Sequence, residues 1–210
     1  MTDDQTFQLI LAIGLTGILP VSIYHRIRSQ ASREKLDRRQ EGLFILMTLR
    51  PIGLAGMCGL LTFVVNPAWM TWSSVPLPLW VRWSGVGIGV AAGLLLIWTY
   101  RTLGTNLTDT VVTRRHHRLV TTGPYQFVRH PFYIAAALAI TANTLAAANL
   151  FIGLTGWTAV LLLIFRTTIE EEHLVRRFGE DYTRYMKDTG RFFPRLSSTS
   201  PHTHNNSRHD

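Results

Sequence analysis

The apolar residues of this chain gather in continuous blocks. They neither alternate, as on a half-buried strand, nor recur at the i, i+3, i+4 spacing of a surface helix. Five blocks stand out, at 7–24, 43–65, 79–100, 132–148 and 150–165. A spanning helix needs about 20 mainly apolar residues, so the first three qualify and the last two are short. Only Asn149 separates those two, with Asn143 nearby, which predicts a tight helical hairpin that just reaches the far interface. A buried or re-entrant hairpin is the alternative.

The polar segments between the blocks alternate in charge. Arg26, Arg28, Arg33, Lys35, Arg38 and Arg39 follow the first block, whereas 66–80 carries no charge and is rich in Pro and Trp. Arg101, Arg114, Arg115, Arg118 and Arg129 precede the fourth block, and Arg166, Arg176, Arg177, Arg184, Lys187, Arg191 and Arg195 follow the fifth. Positive segments face the cytoplasm, so five spans with an external N-terminus and a cytoplasmic C-terminus are expected. Asp3 and Asp4 stand where a cleavable signal would carry positive charge, so none is expected.

Composition agrees with this class. Of the 210 residues, 47% are hydrophobic and 16% charged, against about 25% charged in a soluble domain. The net charge of +8 follows from topology, and no compact basic and aromatic motif points to nucleic acid. The lone Cys58 lies in an apolar block without a basic or His neighbour, as a small core residue would. Arg50 and Arg82 sit in or beside apolar blocks, where snorkelling or an interhelical partner is expected. Pro51 should kink its helix. Gly85, Gly87, Gly89 and Gly93 suit close helix packing rather than a nucleotide loop. The polar tail 197–210 has no apolar period and is expected to be disordered, so its three His are not read as metal ligands.

Candidate chemistry lies in two cytoplasmic segments. The connection 101–129 is longer than a simple join requires. It runs through His117-Arg-Leu-Val-Thr-Thr-Gly-Pro-Tyr125 into Arg129-His-Pro-Phe-Tyr133, with a turn at Gly123-Pro124 and Pro131 in the first turn of the next helix. Past the fifth block, Arg166-Thr-Thr-Ile-Glu170-Glu171-Glu172-His173-Leu174 places Arg166, Glu170 and Leu174 on one helical face. Read alone, this triple carboxylate is a solvated, salt-bridged helix, with His173 a surface residue.

Read together and in order, the segments L-V-x-x-G-P-Y, R-H-P-x-Y, a hairpin, R-x-x-x-E-E-x-x-L and F-G-x-x-Y-x-x-Y resemble the isoprenylcysteine carboxyl methyltransferase family and its phospholipid N-methyltransferase relatives. The resemblance covers residues 103–194, about half the chain. It implies an all-α integral membrane protein of five transmembrane helices, with a cytoplasmic cofactor site built from the loop before the fourth helix and from the C-terminal helix. The chain divides accordingly into a three-helix membrane region (1–100), a methyltransferase-like region (101–196) and the tail.

The resemblance further implies an S-adenosylmethionine site formed by His117, Leu119, Val120, Tyr125, His130, Pro131, Tyr133, Glu170 and Glu171. Arg166 and Glu170 carry the reaction, Glu170 toward the cofactor and Arg166 toward the acceptor, with no metal. The stretch 109–115 departs from the family pattern, and Ala135 stands where many relatives have Gly. The expected acceptor is membrane-embedded or lipophilic and most simply a carboxylate. An amine acceptor would need a base, for which Glu171 or His130 would serve. A sterol-reductase-like enzyme using NADPH and a non-catalytic membrane scaffold are the competing readings.

Overall fold

A computed structural model describes residues 3–30, 43–103 and 119–195 and is all-helical in its regular elements. The helices are α1 (Asp3–Gln30), α2 (Leu43–Val65), α3 (Leu79–Leu103), α4 (Pro131–Ala147), α5 (Leu150–Phe178) and α6 (Glu180–Asp188). Short 3₁₀ turns occupy Pro67–Ser73 and Gly123–Gln126. Asp3 and Asp4 fall in the first turn of α1, where the helix dipole favours negative charge. Asn66 caps the first 3₁₀ turn by accepting from the Ala68 N–H at 3.0 Å. Pro131 opens α4 at a position whose N–H would have no intrahelical partner.

All five apolar blocks are helical, but they differ in reach. α1, α2, α3 and α5 are long and apolar enough to cross a membrane. α4, with 17 residues, spans about 25 Å against a hydrocarbon core of about 30 Å. The block 150–165, short by hydropathy, is the first part of a 29-residue helix. No Gly or Pro interrupts 165–178, so α5 continues past its apolar part and carries Arg166 and the three carboxylates with it. With its apolar spans and lipid-type exposed faces, this is an integral membrane protein.

Contacts at the two ends show that successive helices run up and down. At one end Gln8 donates to the Val64 carbonyl (2.7 Å), and Arg82 donates to Asp4 (2.8 Å) and to the Ala146 carbonyl (3.0 Å). Arg82 thus has the interhelical partners expected of it, and its guanidinium also lies 4.1 Å over the Phe7 ring. Asn149 ties the hairpin to the same end, donating to Met70 O (3.0 Å) and Ser73 Oγ (2.8 Å) while capping α5 at Ile152 N. Ala148 takes a left-handed conformation (φ 48°) to make the reversal. Trp69, Trp72, Trp80 and Trp83 are exposed around this end, where interfacial tryptophans collect. At the other end Tyr100 reaches Ser22 and packs on Phe132, its ring 6.0 Å away.

Small residues set the helix spacing, since lipid supplies no hydrophobic drive between helices. α3 packs most extensively on α4. A Cβ at Gly85 would lie 2.8 Å from Leu145 Cβ and 3.0 Å from the Ala142 carbonyl. Gly89 faces Ala142, whereas Gly93 faces Ile18 of α1, so this glycine pair serves two different neighbours. Within the hairpin, Gly153 and Gly156 admit Thr144 and Ile140.

Candidate functional site

The segment after α3 is fastened to that helix by a glycine. Gly123 has φ +61°, and a Cβ there would collide with Thr102. The 3₁₀ turn that follows presents Tyr125, whose carbonyl accepts from the Tyr185 hydroxyl of α6 at 2.5 Å. Tyr182, one turn earlier, is fully buried. Burial raises the phenols of Tyr125, Tyr182 and Tyr185 above their ordinary range, helped by the Glu170 charge at Tyr125 and the Glu171 charge at Tyr182. They stay protonated, and Tyr185 remains a donor.

The R-H-P segment pairs with the chain beyond α6. Val128 and Gly190 form a parallel bridge, Arg129 N–H donates to Gly190 O (2.8 Å), and His130 N–H donates to Arg191 O (3.1 Å). The Arg129 side chain donates Nε to Glu171 Oε1 (2.9 Å) and Nη1 to the carbonyls of Met186 (3.1 Å) and Thr189. It thereby satisfies carbonyls at the end of α6 that have no helical partner. Arg191 donates to the other oxygen of Glu171, and His130 Nε2 lies 3.2 Å from Oε1. Glu171 is only 3% exposed. Removing one partner of a buried ion pair costs about 3–5 kcal/mol, so this knot holds three chain segments firmly.

The three consecutive carboxylates therefore do different things, because neighbours on a helix point about 100° apart. Glu170 Oε2 accepts from the Tyr133 hydroxyl at 2.7 Å. Glu171 enters the arginine knot. Only Glu172 makes the exposed i,i+4 pair, with Arg176 at 3.3 Å, that the solvated-helix reading expects. His130 stacks parallel to Tyr133 (centroids 5.4 Å, interplanar 1°) and meets Phe192 at 5.8 Å.

The structure thus joins the two motif segments directly, through Tyr133 and Glu170 and through His130 and Glu171. Pro131 is buried at the start of α4, and Arg166 is half-buried one turn before Glu170. Leu119 and Val120 are half-buried at the beginning of the described loop. His117 and the divergent stretch 109–115 lie outside the described residues, as does the tail 197–210. Among the described residues no group of three or more His, Cys, Asp or Glu gathers as a metal site. Sequence reasoning passed over the structural parts played by Arg129, Arg191 and Tyr185. Arg129 stands inside the R-H-P motif and could have been found there; Arg191 lies beyond every acidic motif and carried no signal.

Comparison with known proteins finds similarity over an overlapping stretch. Residues 85–176 match the model of the isoprenylcysteine carboxyl methyltransferase (ICMT) family. The protein-S-isoprenylcysteine O-methyltransferase of Schizosaccharomyces pombe is 34% identical over 88 residues, 40% of this chain and 37% of that protein. The methanethiol S-methyltransferase of Pseudomonas deceptionensis is 34% identical over 73 residues, 34% of this chain and 27% of that protein. A nickel-cobalt-cadmium resistance protein, NccN, of Alcaligenes xylosoxydans xylosoxydans is 35% identical over 84 residues, 40% of this chain and 39% of that protein. The chain spans about two fifths of the length of the first of the curated relatives it matches. The resemblance drawn from the motifs is shown for this stretch.

Proposed function

We propose, from the ICMT-family character of residues 85–176, that this chain is an S-adenosylmethionine-dependent methyltransferase acting on a membrane-embedded or lipophilic acceptor. The observation that carries the reading is the Tyr133–Glu170 hydrogen bond, which brings the two motif segments together at the charged end of the helices. The residues present suit the cofactor. Glu170 keeps a second carboxylate oxygen for the ammonium of its amino-acid part, in a charge-assisted hydrogen bond. Tyr125, with Leu119 and Val120, supplies a wall for the nucleoside. When bound, S-adenosylmethionine supplies a methyl group activated by its sulfonium.

The work left to the protein is alignment and exclusion of water rather than strong acid–base chemistry. We assign Arg166 to the acceptor, which it orients by a forked contact if the acceptor is a carboxylate. A carboxylate is ionised at neutral pH and needs no base. The proposed orientation puts the N-terminus outside and the C-terminus in the cytoplasm, so that a zwitterionic cofactor enters from water and the acceptor from lipid. In this reading 101–196 bears the site and 1–100 forms the membrane region beside it.

A second acceptor class is favoured by one observation, the similarity to a protein named methanethiol S-methyltransferase, which would make a thiol the nucleophile. The test common to both begins with titration of purified protein with S-adenosylmethionine and, separately, with NADPH. Binding of S-adenosylmethionine alone is expected. Binding of NADPH alone would contradict the proposal in favour of a reductase, and binding of neither would contradict it in favour of a scaffold. Product identification with lipid carboxylate, phospholipid amine and thiol acceptors then assigns the acceptor.

A further inference from the structure

We propose that Glu171 is a positioning residue, acting through His130 and Tyr133 to hold Glu170 toward the cofactor without touching the cofactor itself. The inference rests on the methyltransferase reading and changes the role expected of Glu171 and His130, which the motif resemblance places among the cofactor contacts.

The adjacent carboxylates face opposite electrostatic settings. Both oxygens of Glu171 are taken, Oε1 by Arg129 Nε at 2.9 Å and His130 Nε2 at 3.2 Å, Oε2 by Arg191. Two guanidiniums against one carboxylate leave a net positive cluster, which repels an ammonium. With its side chain 4% exposed, Glu171 also has almost no face left for a ligand. Glu170, in contrast, accepts at Oε2 from a neutral phenol and retains an oxygen for a cation.

A chain of contacts links the two. An ionised carboxylate only accepts, so His130 Nε2 is the donor to Glu171, and this bond orients the ring. The fixed imidazole lies parallel to the Tyr133 ring, 5.4 Å between centroids with an interplanar angle of 1°. Phe192 closes on His130 from another direction at 5.8 Å. Tyr133, held by that stack, donates to Glu170. Holding a ligand group in this way through packed and hydrogen-bonded neighbours is how binding constellations are kept in register.

The test is a double-mutant cycle read by S-adenosylmethionine titration of the full-length protein, using wild type, Glu171→Gln, Tyr133→Phe and the pair. Glu171→Gln alone should weaken binding about tenfold, as for residues coupled through shared contacts, yet add less than about twofold in the Tyr133→Phe background. Glu171→Asp should restore part of the loss. His130→Leu leaves both arginines on Glu171, and serves if Glu171→Gln does not fold. Its loss should likewise vanish in the Tyr133→Phe background. A general loss of stability would not depend on the Tyr133 hydroxyl. Wild-type binding with losses that multiply independently would overturn this inference alone. Absence of binding to wild type would overturn it together with the methyltransferase reading.

Discussion

Glu170 and Arg166 stand one turn apart on α5, and the roles proposed for them separate in their mutants. Glu170→Gln keeps the shape but removes the charge opposite an ammonium; losing one partner of a desolvated pair costs about 2–5 kcal/mol, so cofactor affinity should fall by more than tenfold. Arg166→Ala should leave that affinity within a few-fold while lowering single-turnover methylation sharply. Arg166→Lys should rescue it only partly, because an ammonium lacks the guanidinium fork. Binding titrations and single-turnover rates on the same preparations check this; loss of cofactor binding in Arg166→Ala with binding intact in Glu170→Gln would reverse the assignment. Away from the site, Arg82→Ala should lower stability in detergent by about 1–3 kcal/mol, since it strips the Ala146 carbonyl of its buried donor. Thermal unfolding reads that loss. Arg82 shows how far residues are legible in sequence. Its place beside an apolar block announces a partner, but Asp4, 78 positions earlier, is found only when α1 and α3 lie side by side. In the same way the E-E-x-x-L motif marks both Glu170 and Glu171, while their different duties depend on Tyr133, Arg129 and Arg191 arriving from elsewhere.

Helix contacts offer a sharper contrast, because neighbouring glycines of α3 meet very different surroundings. Gly85→Val should destabilise the bundle by about 1–3 kcal/mol, the usual cost of overpacking, because its side chain would meet Leu145 and the Ala142 backbone. Gly87→Ala, with nothing within 4 Å of the added Cβ, should be neutral or slightly stabilising through helix propensity. Thermal unfolding of both variants in the same detergent compares them; equal loss would argue against the α3–α4 approach described here. The glycine run is visible in sequence as a packing stripe. Its division between α4 (Gly85, Gly89) and α1 (Gly93) follows from rotational phase, which composition does not encode. Helix lengths divide in the same way. Apolar blocks mark where α1 to α5 lie, but hydropathy stops at residue 165 whereas α5 runs on to Phe178, because backbone hydrogen bonding continues where polar side chains replace apolar ones.

For the molecule as a whole, alternating charge and antiparallel helices lead to a proposed orientation that labelling can check. In a Cys58→Ser background, a membrane-impermeant probe on sealed cells should label Thr71→Cys, on the uncharged exposed turn, and should not label Thr121→Cys, before the second 3₁₀ turn. External labelling of Thr121→Cys would remove the cytoplasmic route for the cofactor. The same architecture should favour acceptors that dissolve in lipid, since a site beside exposed apolar helix faces lets the acceptor's chain contribute binding energy. The most direct measurement is methyl transfer from labelled S-adenosylmethionine by the protein in lipid vesicles, comparing a long-chain acceptor with a short, water-soluble one bearing the same head group. At about 0.8 kcal/mol per buried methylene, two or more additional buried methylenes should raise kcat/KM at least tenfold. Equal kcat/KM for the two acceptors, or no labelled methyl in either, would contradict a methyltransferase working on lipophilic substrates.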